Sequence, residues 1–102
     1  MLLQQGDVLL KKIEVLPKNL KKIKRAERGY VLAEGEATGH AHVVEDEIGC
    51  YEREGVLYLK IDTEAPVKHE EHKEVMIPPG LWEVVKVQEY DHFLEESYEV
   101  MD

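Results

Sequence analysis

Glycine and proline cut this chain into short apolar runs, and none carries a sustained 3.6-residue stripe of the kind a helix needs. What remains is a series of strand-length segments between turns. Val8-Leu9-Leu10 follows Gly6-Asp7 and is broken by Leu16-Pro17-Lys18-Asn19. Lys21 to Arg28 is too charged to be buried and fits a loop, a helical turn or an exposed edge strand, where lysines discourage pairing with another chain. Tyr30-Val31-Leu32-Ala33 ends near Gly35, and His40 to Val44 is the next strand. Gly49-Cys50-Tyr51-Glu52 and Val56 to Ile61 flank Arg53-Glu54-Gly55, where Gly55 supplies the positive φ of a tight hairpin. Ala65-Pro66-Val67 and Val75-Met76-Ile77 precede the turn Pro78-Pro79-Gly80. Leu81 to Tyr90 is the best strand, and a final one is expected near Tyr98-Glu99-Val100-Met101. Alternation predicts Leu57, Leu59 and Ile61 on one apolar face, and Leu81, Val85 and Val87 in the core opposite Trp82, Val84 and Tyr90. Short strands with frequent turns predict an all-β fold, a small β-barrel or β-sandwich, in one domain over 1–102.

Charge narrows the partners. The 102 residues carry a formal net charge of −9. Residues 1–28 hold eight basic side chains against three acids, and the rest holds five against 19. The acidic bulk argues against a nucleic-acid partner, which needs a basic surface. The basic segment 11–28 instead suits solvent or the acidic part of a second subunit, so a homo-oligomer is expected. Cys50 is the sole cysteine, and a buried structural thiol is its expected role, since no histidine neighbours it in sequence to act as a base. There is no apolar run of membrane-spanning length and no signal-peptide pattern at Met1 to Asp7, so a cytoplasmic protein is expected. Abundant Lys and Glu with few Asn, Gln and Ser are a bias of proteins from hot environments.

Four of the five histidines fall into two clusters, His40-Ala41-His42 and His69-Glu70-Glu71-His72. Imidazole is the commonest protein ligand for transition metals. A His-x-His pair on a strand aims both rings to one side, whereas an offset of three brings two rings together only across a turn. Meeting in space, His40, His42, His69 and His72 make a four-ligand site for a divalent ion: zinc, iron, manganese or nickel. Glu70, Glu71 and Glu45 are candidates for a further ligand or a carboxylate that fixes a ring tautomer, with Glu71 or Glu45 as the catalytic base. Thr38 offers a hydroxyl behind the ligands, and His92 is expected at the surface.

His40-x-His42 followed by Glu47 is similar to the first metal motif of the cupins, and Pro78-Pro79-Gly80 resembles the Pro-x-Gly of their second. That resemblance implies a small β-barrel with two histidines and Glu47 on a metal. The second-motif histidine would fall at Glu83. A longer pattern covers most of the chain: Gly6-Asp7-Val8, Gly35 to His42, His69 to His72, Pro79-Gly80 and Gln88-Glu89-Tyr90. It resembles a family of small uncharacterised prokaryotic proteins and brings no activity with it.

The expected function is a metal-binding β domain, with a metalloenzyme acting on a small molecule as the leading class. The alternatives are a non-catalytic metal- or ligand-binding protein and a structural or interaction domain whose histidines bind nothing. Whether the chain is an enzyme is left open by the residues alone.

Overall fold

The computed structural model describes residues 1–34 and 39–87. Thr38, Gly35, Tyr90, His92 and the strand expected near Tyr98 lie outside them. Among the described residues there are ten strands: β1 (Leu2–Gln5), β2 (Val8–Ile13), β3 (Lys21–Lys22), β4 (Tyr30–Glu34), β5 (Ala41–Val44), β6 (Gly49–Arg53), β7 (Val56–Ile61), β8 (Ala65–Lys68), β9 (Val75–Ile77) and β10 (Gly80–Lys86). All named pairings are antiparallel.

The strands form two sheets, ordered β1-β2-β10-β7-β6-β3 and β4-β5-β8-β9. This is an all-β fold of two antiparallel sheets and not a closed barrel, which corrects the barrel expectation and the barrel that the cupin likeness implied. One apolar core takes side chains from both sheets. Leu10, Cys50, Leu59, Ile61 and Trp82 come from the six-stranded sheet, and Tyr30, Leu32, Val44, Ala65, Val67 and Ile77 from the four-stranded one. Trp82 is fully buried, and its indole N–H donates to the Pro78 carbonyl at 3.0 Å, so the aromatic body is apolar while its polar tip is satisfied.

Two expectations change. Leu59 and Ile61 are buried as alternation requires, but β10 turns Trp82 and Val84 to the core. Leu81 and Val85 lie on the opposite face, half-buried. Both faces of β10 are apolar, so period alone does not say which one points inward; the packing of Trp82 decides it. In addition, Leu2-Leu3-Gln4-Gln5 is a strand, pairing Gln5 with Val8 across a hairpin turned at Gly6, whose φ is +58°. Lys21–Lys22 is an edge strand on β6, one of the roles open to the basic segment.

This topology gathers one end of the molecule. Gln5 on β1 belongs to the six-stranded sheet, yet its amide reaches the Val67 carbonyl on β8 of the other. The β1–β2 turn, the middle of β5 and the β8–β9 loop therefore meet.

Candidate metal centre

His42 sits on β5 with its side chain inward, 1% exposed. A buried imidazole needs partners for its ring nitrogens. Gln5 fixes one of them. Its Nε2 donates to the carbonyls of Val67 and Lys73, each at 2.9 Å, so its Oε1 has to face His42. That oxygen accepts from Nδ1–H of His42 at 2.9 Å. Nε2 of His42 is left as the lone-pair nitrogen, 3.2 Å from Oδ1 of Asp7. A lone pair and a carboxylate at that separation call for a positive charge between them, a proton or a metal ion. Burial, the largest influence, lowers the proton affinity of His42 below the ordinary histidine value; His69 and His72 act the same way, and Asp7 opposes them.

The two histidine clusters converge. Ring centroids of His42 and His69 are 4.4 Å apart, those of His69 and His72 are 4.6 Å, and those of His42 and His72 are 6.0 Å and nearly parallel. His40 meets His69 edge-on at 5.8 Å. The offset of three is accommodated because residues 69–72 leave β8 and bend before β9. The Glu71 amide closes that bend by donating to Nδ1 of His69 at 3.0 Å. His69 therefore presents its Nδ1 to the backbone, and a metal taking that nitrogen displaces the amide.

The other rings are held differently. Nδ1 of His40 faces Oε1 of Glu71 at 3.1 Å, which directs the proton to Nδ1 and leaves Nε2 for a ligand bond. Glu71 thus touches a candidate ligand. His72 lies over Gly6: a Cβ there would stand 2.6 Å from Nε2 of His72. Glycine serves both the left-handed turn and the close approach of this ring.

Glu70 stands beside His40 and His69. Its Oε1 accepts from the Ala41 amide at 3.0 Å and its Oε2 from Arg28 at 3.1 Å. These contacts, the Ala41 amide first, hold its carboxyl below the usual range. With His40 and His69 it forms the compact group of the site, their ligand atoms all within 4.8 Å of one another. Glu45, the other candidate base, pairs with Lys68 at 2.9 Å and raises the lysine's pKa. It lines a cleft of about 410 Å³ together with Arg28, Ala41, Val43, Lys68, His69 and Glu70. Glu47, the cupin-like ligand, instead accepts the Tyr30 hydroxyl. Burial pushes the Cys50 thiol up to about 11, which suits a structural role.

Gln5 and Asp7 are the site residues that sequence reasoning missed. Asp7 follows Gly6 in the longer pattern, but nothing local marks it as a neighbour of His42, 35 positions away.

No curated protein and no solved structure matches the chain. Residues 4–87 match the family model described as Domain of unknown function (DUF8820), and the chain belongs to that family.

Proposed function

We propose that this chain binds a divalent metal ion in its histidine cluster and uses it on a small molecule. The observation that carries the reading is the locked tautomer of His42, whose Nε2 lone pair faces the Asp7 carboxylate beside other imidazoles. The proposed ligands are His40, His42, His69 and His72, with Asp7 and Glu70 added; His40, His69 and Glu70 have ligand atoms within 4.8 Å of one another, and His42, His72 and Asp7 stand outside that group. Nitrogen and oxygen donors suit zinc, iron, manganese or nickel. A bound ion with an open position polarises a substrate oxygen or a water molecule. Glu71, in contact with His40, is the proposed base beside it.

A second reading has its own support. The contact between His42 and Asp7 is also satisfied by a proton, as an ion pair within a structural network. The domain is then non-catalytic and its histidines bind nothing.

Metal analysis of the purified, untagged protein separates the two. The expected result is about one divalent ion per chain, with binding lost progressively on acidification as protons compete for the imidazoles. His42→Ala and His72→Ala each remove most of the binding, and Asp7→Asn weakens it, while His92→Ala is the control that leaves it intact. If the wild-type protein takes up no ion from a zinc, nickel, manganese or ferrous solution, the structural reading stands.

A further inference from the structure

The face of β5 opposite His42 carries a second feature. Where His42 and Val44 turn inward, Ala41 and Val43 turn outward, yet they are only 1% and 6% exposed. The segment before β4 folds over them: Arg25 donates to the Glu45 carbonyl at 2.9 Å, and Gly29 comes close to Val43. What stays open is the cleft of about 410 Å³, within the range of small-molecule sites. Its floor is β5 at Ala41 and Val43, whose side chains are already almost fully covered. Lys68 is the cross-strand partner of Val43, so its ammonium stands at the edge of that floor. The next residue, His69, belongs to the imidazole cluster. The cleft therefore runs from a cation to the candidate metal centre.

The two cations of the cleft are not equivalent. Arg28 is tied to Glu70 and to the Gly39 carbonyl, and Glu70 is tied in turn to the Ala41 amide. Among the described residues Lys68 has one carboxylate partner, Glu45, and both side chains are about half exposed. An exposed ion pair of this kind is weakly held. The Glu45 carboxylate thus marks where an external carboxylate exchanges in. With one exchangeable cation and two acids on the walls, the cleft suits a monoanion and opposes a dianion such as phosphate.

We infer that this cleft binds a small monocarboxylate, its acid group replacing Glu45 on Lys68 and its far end at His69. The inference deepens the metal reading by naming its substrate class and rests on that reading for the chemistry at the far end.

Acetate, propionate and butyrate are the probes, titrated separately into chelator-treated and zinc-treated protein. The Ala41 and Val43 methyl resonances are the reporters. The expected result is saturable shifts in the millimolar range, already present in the chelator-treated protein. Lys68→Gln, at an exposed position that leaves the fold intact, weakens them about tenfold. Lys60→Gln, outside the cleft, does not. Inorganic phosphate gives no comparable shift. Methyl shifts that never saturate, or shifts unchanged in Lys68→Gln, overturn the inference. So do shifts that require zinc, because the carboxylate then sits on the metal and not on the lysine. Saturable, lysine-dependent binding to a protein that takes up no metal would keep the carboxylate site and remove the metal reading.

Discussion

One amide decides which nitrogen of His42 is free. Gln5 spends both of its donors on carbonyls, so its oxygen, and through it the tautomer of the buried imidazole, is fixed. Replacing such a side chain removes this partner from the buried Val67 carbonyl, at a cost of about 1–3 kcal/mol. The other buried polar atom with a defined consequence is the Cys50 sulfur. Its pKa, raised to about 11 by burial, means that the fold favours the protonated thiol. The contribution to stability is full below the unfolded value near 9 and is lost as pH rises through about 11. Native protein at neutral pH should resist iodoacetamide and react only on unfolding, and denaturant stability should fall between those two values more steeply than in Cys50→Ala. Fast alkylation of the folded protein would contradict the structural role. The histidine pairs were legible because spacing alone announces them. Gln5 and Asp7 were not, because a glutamine in a terminal strand and an aspartate in a turn look like ordinary polar residues until strand pairing brings β5 to them.

At the scale of elements, the β1–β2 hairpin links stability to the site. Gly6 has a φ of +58°, and a Cβ on it would collide with the His72 ring. Gly6→Ala should therefore lower stability by about 1 kcal/mol from backbone strain and also push His72 aside, weakening metal binding. Gly55→Ala is the matched comparison. Gly55 has a φ of +81° in the β6–β7 turn, and a Cβ there meets open space. It should lower the melting temperature similarly and leave metal affinity unchanged. Calorimetric titration of both variants checks this. If Gly6→Ala binds metal as the wild type does, His72 is not a ligand. The β6–β7 hairpin was plain in the sequence because Gly55 sits between two alternating runs, and there Glu54 also takes a positive φ, 52°. β1 was not plain, since Leu2-Leu3-Gln4-Gln5 has no alternation and no turn before it. The inward face of β10 was misread because Leu81 and Val85 are as apolar as Trp82 and Val84. The split into two sheets depends on which edges pair, and short strands carry little information about that.

Across the whole molecule, the charge asymmetry has a structural location. Arg25 and Arg28 are spent within the chain, on the Glu45 carbonyl and on Glu70. Lys18, Lys21, Lys22 and Lys24 are exposed and make no ion pair among the described residues. Lys21 and Lys22 form β3, the edge of the six-stranded sheet. A lysine edge repels a second lysine edge, so symmetric strand-to-strand growth through β3 is disfavoured. The same lysines attract acidic side chains, and the sequence carries 19 acids after residue 28. Two copies related by a two-fold axis satisfy both conditions when the basic segment of each meets the acidic part of the other. The expected state is a closed homo-oligomer, a dimer being the simplest. Light scattering at low ionic strength should give twice the chain mass. Salt should shift it toward monomer, because exposed charges are screened beyond about 10 Å at about 0.1 M. Lys21→Glu combined with Lys22→Glu should give monomer at low salt while keeping the strand circular-dichroism signal. A wild-type protein that stays monomeric at high concentration and low salt would leave these lysines as a solvated edge, whose work is to keep other strands away.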